Sequence, residues 1–273
     1  MPKYPINLPL HRSVTARIKD ISQPRGGYLN PKMLATTQFD EGSQPLYPQE
    51  EENVHATIVG IAVDYLTRFM TGAPADEAFA ISLLGAVIAQ REELAQELKL
   101  QVKGLDTASI TAAMKLSGFD SAFRGGLVAY RPVEDISPNQ QTVENVAIMV
   151  RRSMAFFDAV GPKTLDGFTF EGGYTEYVSS GDGDFLTADT LWDFKVSKKL
   201  PTKDHTLQLL MYWQMGLRSV HPEFQSIRRL GIFNPRLNAM FTCDVASISS
   251  DVVREVADTV IGYNLEPMDL TLE

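Results

Sequence analysis

One stretch in the second half of the chain alternates apolar and polar residues with a period of two, which predicts a β-hairpin. Its strands cover about 182–187 and 190–197, joined by a two-residue turn. A loop of this length pairs Asp184 with Asp193, whose Cβ atoms would lie roughly 4.5–5.5 Å apart. Because side chains alternate faces along a strand, Asp193 and Lys195 share one face. The pattern therefore gathers two carboxylates and one ammonium on one surface.

The segment after the hairpin has apolar residues at helical spacing and predicts a helix over about 204–219. Gln208 and Tyr212 are four residues apart, so they lie on one face of that helix. Such a pair carries little information by itself, since helices contain it by chance. Its place directly after the charged hairpin makes it informative.

The rest of the pattern is helical before residue 160 and mixed after it. A helix over 53–72 is expected to have Asn53 as its N-cap, to carry His55 in its first turn on the side of Val59, and to end at Gly72. The remaining predicted elements are helices at 75–99, 106–117, 138–160 and 250–263 and strands at 126–130, within 166–180, at 227–234 and at 239–245.

This order of elements predicts an α/β (α+β) fold with a helical front section. Residues 1–52 are rich in Pro, Gly, Asn and Gln and indicate an extended N-terminal arm, either packed or flexible. Residues 53–273 are expected to form a single domain. Within it we expect a helical section at 53–160, a core section at 161–246 that contains the charged hairpin, and a C-terminal helix at 247–273.

Composition narrows the class of protein. The hydrophobic fraction of 44% and charged fraction of 22% are typical of a soluble globular protein. No apolar run reaches the ~18 residues of a membrane span, and the first residues lack the apolar region of a secretory signal. A single cysteine excludes an intramolecular disulfide framework. These features predict a cytoplasmic protein without a membrane partner.

Charge is unevenly distributed along the chain. The net charge is −9, which by itself disfavours a nucleic-acid partner. Residues 195–236, however, hold eight basic residues against two acidic ones, a net charge of +6 that leaves −15 for the rest. Such a local patch can attract phosphates even on an acidic protein. The alternative is that these charges are ordinary solvent-exposed surface residues. The basic residues are Lys195, Lys198, Lys199, Lys203, Arg218, Arg228, Arg229 and Arg236.

The hairpin charges need a compensating partner, because two facing carboxylates repel each other. Lys195 supplies one positive charge, and a divalent cation would supply more. Hard cations such as Mg²⁺ choose carboxylate oxygens. An isolated Asp-x-Lys is usually an ordinary surface pair, but here Asp184 precedes it and the Gln208 helix follows it.

Taken in order, these motifs resemble the PD-(D/E)xK nuclease superfamily, and the last of them resembles its RecB-like branch. The resemblance covers about residues 171–245 and implies a restriction-endonuclease-like mixed sheet flanked by helices. Two departures are present: Gly183 stands where the superfamily often has Pro, and the lone Cys243 excludes the four-cysteine iron–sulfur cluster of some branch members. The motifs are Gly181-x-x-Asp184, Asp193-x-Lys195 and Gln208-x-x-x-Tyr212.

The resemblance implies a metal site. Asp184 and Asp193 would hold Mg²⁺, with Mn²⁺ as an alternative, helped by the backbone carbonyl of Phe194. Branch members often carry an upstream metal-binding histidine on a helix, and His55 is the candidate for that role.

The resemblance also implies a DNA substrate and a RecB-like exonuclease activity. Lys195 would assist hydrolysis of the phosphodiester, while Gln208 and Tyr212 would place the DNA strand. Lys198 and Lys199 would contact its backbone. A homo-oligomer, or a protein partner in a DNA-processing complex, is compatible with this function.

Two other classes of function stay open. A non-catalytic nucleic-acid-binding protein could retain the nuclease fold, although a binder does not need opposed carboxylates. A metal-dependent hydrolase could act on a different phosphoester. Cysteine-dependent hydrolysis at Cys243 is disfavoured, because this residue lies in an apolar segment that is most simply a strand.

Overall fold

A computed structural model describes residues 12–39 and 44–263 and contains a six-stranded mixed sheet in the order β1-β6-β5-β4-β3-β2. The predicted mixed α/β fold class is confirmed. The strands are β1 (Ala35–Gln38), β2 (Leu165–Phe168), β3 (Gly183–Leu186), β4 (Thr190–Phe194), β5 (Arg229–Asn234) and β6 (Ala239–Asp244).

Helices precede, interrupt and follow the sheet. In chain order they are α1 (Val14–Asp20), α2 (Ala56–Met70), α3 (Ala75–Ala78), α4 (Ala80–Ile88), α5 (Glu92–Gln101), α6 (Thr107–Gly118), α7 (Asp120–Gly125), α8 (Gln140–Val160), α9 (Lys203–Gly216) and α10 (Ser250–Glu255). A π-helical turn, Val256–Ile261, follows α10 directly.

The topology fixes helix α9 beside the predicted site. Strands β4 and β5 are parallel, whereas every other neighbouring pair in the described sheet is antiparallel. Parallel neighbours need a crossover connection, and α9 lies within the one that joins these two strands. The helix packs against both strands. The β3–β4 hairpin therefore leads directly into the helix that carries Gln208 and Tyr212.

Part of the predicted N-terminal arm is built into this sheet. Strand β1 pairs antiparallel with β6 and forms one edge. Helix α1 packs against α9, and Arg17 Nε donates a hydrogen bond to the carbonyl of Val260 at 2.8 Å. Residues 12–39 of the arm are thus packed against the domain.

The apolar side chains form two large clusters and a small aromatic one. The first cluster lies between the sheet and α9, with Leu209 and Met211 among its members. The second lies within the helical section, between α2, α4, α6 and α8. Trp192 of the hairpin packs with Phe156, Phe185 and Phe233 in the small cluster. The hairpin thus meets the helical section through its aromatic face.

Two predicted helix starts are wrong. Helix α2 begins at Ala56, because His55 and not Asn53 is its N-cap. Asn53 instead donates to the Ser137 carbonyl at 2.8 Å and accepts from the Asn139 amide at 2.8 Å. Asn139 in turn is the N-cap of α8, so this helix starts at residue 140 and not at the proline.

The predicted 75–99 helix is three helices, α3 to α5. Its second break comes at Gln90, which has a φ of 55° and so cannot continue a right-handed helix. The predicted strand at 126–130 is also wrong. Gly126 has a φ of 68°, and the residues after it form turns.

Of the predicted strands within 166–180, only β2 forms; the segment from 171 to 180 is irregular apart from a bridge between Ser13 and Ser180. The hairpin predicted at 227–234 and 239–245 is confirmed as β5 and β6. The last predicted helix changes from α-helical to π-helical geometry after Glu255.

Candidate active site

The β3–β4 hairpin has the predicted register. Phe185 pairs with Trp192, so the same register sets Asp184 opposite Asp193. The backbone N–H of Phe194 donates a hydrogen bond to Asp184 Oδ2 at 2.6 Å. This bond fixes the Asp184 carboxylate against the end of the neighbouring strand, where the two acids meet.

The Asp193 carboxylate is buried and only half satisfied. Asp193 is 2% exposed. Its Oδ1 accepts a hydrogen bond from Lys195 Nζ at 2.9 Å, whereas its Oδ2 is buried without a hydrogen-bond partner. A buried acceptor without a donor costs roughly 1–3 kcal/mol, and more when it is charged. Binding of an external hydrogen-bond donor or a cation would satisfy this oxygen.

The electrostatic state of the site follows from burial and from the two facing acids. The pKa of Asp184 is raised to about 7, first by burial in low-polarity surroundings and second by the charge of Asp193. Part of the surface of Asp184 nevertheless reaches solvent. Burial opposes the charged form of Lys195, but Asp193 and Asp184 outweigh it and raise the pKa of the ammonium. Lys195 therefore stays protonated between two carboxylates that compete for positive charge.

Helix α9 presents Gln208 and Tyr212 to this site as a connected pair. Gln208 Nε2 donates to the Tyr212 hydroxyl at 2.8 Å, and both residues are buried. Burial, followed by the charge of Asp193, raises the pKa of Tyr212, which places the phenol within electrostatic reach of the acids. Because the hydroxyl accepts the Gln208 bond, its own hydrogen is left to donate elsewhere.

Asp64 on α2 belongs to the same surroundings, and the sequence analysis did not single it out. Its charge contributes to the raised pKa of Asp184. Arg68 Nε lies 3.3 Å from Asp64 Oδ1 and offsets that charge. A signal was present in the sequence, because Asp64 is the only Asp, Glu, Lys or Arg between Glu52 and Arg68.

His205 is a second residue that the sequence analysis missed. It occupies the third position of α9 and closes a capping box, in which its Nδ1 accepts the backbone N–H of Thr202 at 3.3 Å. The ring is half-buried. Burial first, then the charge of Lys195, lower the pKa of His205, while Asp193 acts in the opposite direction. The imidazole therefore lies near the hairpin charges.

His55 lies outside the expected geometry. It is exposed at the N-cap of α2, where its Nδ1 accepts the Thr57 amide at 3.3 Å, and not in the first turn beside Val59. Within residues 12–39 and 44–263, no three His, Cys, Asp or Glu side chains form a group that could hold a metal. The structure thus brings together Asp184 and Asp193, and does not gather His55 with them into such a group.

Four of the eight basic residues of the predicted patch, Lys195 among them, form ion pairs. Lys198 Nζ lies 2.9 Å from Glu50 Oε1, with both side chains exposed. Arg229 pairs with Asp189 at 3.0 Å, and Arg236 forms a buried pair with Glu52. In the part of the chain that the structure describes, Lys199 is exposed and forms no ion pair.

No family model, no curated protein and no solved structure matches this chain. Over the described residues, no helix is both long and apolar enough to cross a lipid bilayer. The inference of function therefore depends on the geometry of the residues at the hairpin and on α9.

Proposed function

We propose that this chain is a metal-dependent nuclease that hydrolyses DNA phosphodiester bonds, of the RecB-like exonuclease type, and that it acts in the cytoplasm. The observation that carries the proposal is the orphaned Asp193 Oδ2, buried opposite Asp184 and beside the Lys195 ammonium. Two opposed acids, one with a buried oxygen that lacks a hydrogen bond, lower the stability of the fold. A cation bound between them would offset this cost.

The donor set fits a hard divalent cation. Asp184 and Asp193 supply carboxylate oxygens, which Mg²⁺ and Mn²⁺ prefer, and the Phe194 carbonyl lies on the same strand end. We propose that these three residues hold the metal. When bound, such a cation activates water and offsets charge on a phosphoryl oxygen. His55 stays a candidate ligand that would need a different side-chain position.

Lys195 would stabilise the negative charge that develops on the phosphate. Its ammonium is held 2.9 Å from Asp193 Oδ1, so it is positioned before substrate arrives. The side chain is 28% exposed, and the ammonium has further N–H donors besides the one bound to Asp193. A preorganised cation of this kind stabilises a transition state without reorganisation at the moment of reaction.

Gln208 and Tyr212 would position the strand. Gln208 donates one side-chain N–H to Tyr212. Its second N–H and its carbonyl oxygen can still donate and accept hydrogen bonds to a ligand. The Tyr212 hydroxyl hydrogen adds a donor. Lys198 would have to leave Glu50 to contact DNA, which costs little because exposed ion pairs contribute about 0–1 kcal/mol.

The test is cleavage of linear, circular and single-stranded DNA by the purified protein with Mg²⁺, Mn²⁺ or EDTA. We expect cleavage only with a divalent cation, and loss of at least about 10²-fold in Asp193→Asn, on the scale of one transition-state-stabilising group. Asp182→Asn is the matched control, because Asp182 is an exposed carboxylate two residues before Asp184. Cleavage in EDTA, or full activity of Asp193→Asn, would refute the metal site. DNA binding without cleavage would favour the non-catalytic alternative.

A further inference from the structure

The first turn of α9 adds an imidazole to the face that carries Gln208 and Tyr212. His205, Gln208 and Tyr212 are spaced at i, i+3 and i+7, which aligns them on one side of the helix. Helix α9 packs against β4, the strand of Asp193. The three side chains therefore form a row along the helix that passes the hairpin acids.

The capping box fixes which ring nitrogen of His205 carries the proton. Nδ1 accepts the Thr202 N–H at 3.3 Å, so it cannot itself be protonated. In a neutral imidazole the other nitrogen then carries the hydrogen, which makes Nε2 a donor. Within residues 12–39 and 44–263, no hydrogen bond engages this Nε2, so its N–H is available to a ligand.

The charges nearby indicate which ligand suits that donor. Lys195 and Asp193 both act electrostatically on the imidazole, so the ring lies beside the same end of β4. Lys195 and Nε2–H are donors, and Asp193 with Asp184 would be offset by a bound cation. An anionic oxygen can accept hydrogen bonds from both donors, the Lys195 ammonium and the His205 Nε2–H.

We propose that His205 Nε2–H binds a phosphate oxygen of the nucleic-acid strand held at the acid pair. This inference rests on the proposed nuclease function and adds a substrate-binding residue to it. His205 thereby has two roles that use different atoms of one ring: Nδ1 caps α9, and Nε2 contacts the substrate.

The competing explanation is that His205 only caps the helix, and two variants separate the two roles. His205→Ala removes the imidazole donor together with its half of the capping box. Thr202→Ala weakens the same cap from the other side and keeps the imidazole. The readouts are the affinity for a labelled DNA oligonucleotide in Ca²⁺, single-turnover cleavage in Mg²⁺, and the melting temperature.

We expect His205→Ala to weaken DNA affinity by about 10-fold or more, the loss of one hydrogen bond to a charged group, with a melting temperature lowered about as much as in Thr202→Ala. Thr202→Ala should lower the melting temperature and keep affinity within about twofold, because its loss falls on the cap. Saturating DNA should restore most of the single-turnover rate of His205→Ala, since the lost contact is one of binding.

Each other outcome overturns a distinct claim. Wild-type affinity and wild-type cleavage by His205→Ala would overturn this inference and leave the nuclease proposal standing. An equal loss of affinity in both variants would reduce His205 to a cap. Binding without cleavage by the wild-type protein would overturn the nuclease proposal alone, and the affinity of His205→Ala would still decide the phosphate contact. Neither binding nor cleavage would overturn both.

Discussion

Arg236 should be a stability residue and not a DNA contact, although its position in the basic segment suggested a phosphate partner. Its Nη1 and Nη2 bind Glu52 Oε1 and Oε2 at 2.8 and 3.0 Å, and the two side chains are 6% and 2% exposed. Asn145 Nδ2 also donates to Glu52 Oε1 at 2.6 Å. The pair joins the turn after β5 to the segment before α2.

The expected magnitude follows from burial. Arg236→Met removes the positive charge and leaves the Glu52 carboxylate buried with Asn145 as its remaining donor. Removing one partner of a buried pair costs about 3–5 kcal/mol. Arg236→Met with Glu52→Gln should recover about 2 kcal/mol of that loss, because no buried charge is left without a partner.

Urea unfolding at pH 7 measures these differences, with Arg229→Met as the matched control. Arg229 and Asp189 form an ion pair in which each side chain is 46% exposed, so its loss should cost about 1 kcal/mol or less. DNA affinity should be the same in folded Arg236→Met and wild type. A loss below about 1 kcal/mol in Arg236→Met, or a double variant no better than the single one, would refute this reasoning.

Three further perturbations test other parts of the molecule. Lys195→Ala should slow single-turnover DNA cleavage by about 10²–10³-fold. Its DNA affinity in Ca²⁺ should change no more than that of Lys199→Ala. A wild-type cleavage rate would contradict the role of Lys195. Burial raises the pKa of Asp120, so the folded state binds its proton more tightly than the unfolded state. The free energy of unfolding should then fall as pH rises from about 4 through that raised pKa, and urea titrations should show a weaker fall in Asp120→Asn. Gly231→Ala should destabilise the protein by about 1–3 kcal/mol in urea, because a Cβ there would collide with the Trp192 ring; an unchanged midpoint would contradict this.

Local rules were enough to predict the hairpin and the face of α9. Strand alternation and the parity of a short turn determine that Asp184 faces Asp193, and the pitch of a helix determines that Gln208 lies beside Tyr212. Each conclusion needs residues that are close in sequence. The mixed fold class followed similarly, from helical spacing before residue 160 and alternation after it.

Features that depend on contacts between distant segments were not predictable in this way. Asp64 reaches the site through the packing of α2 against the rest of the molecule, which no local period records. The N-cap of α2 moved to His55 because Asn53 was bound by the start of α8. Arg236 looked like a surface charge until Glu52, 184 positions away in the chain, proved to be its partner.

Strand β1 contributes nothing to the interior, since all four of its residues, Ala35–Gln38, are exposed. Its contribution is the ladder of hydrogen bonds that covers the outer edge of β6. A bare strand edge offers unpaired N–H and C=O groups to another chain and is a template for aggregation. Release of β1 would expose this edge of β6. We therefore expect self-association in concentrated solution as its first effect, with the buried core and the hairpin acids unchanged.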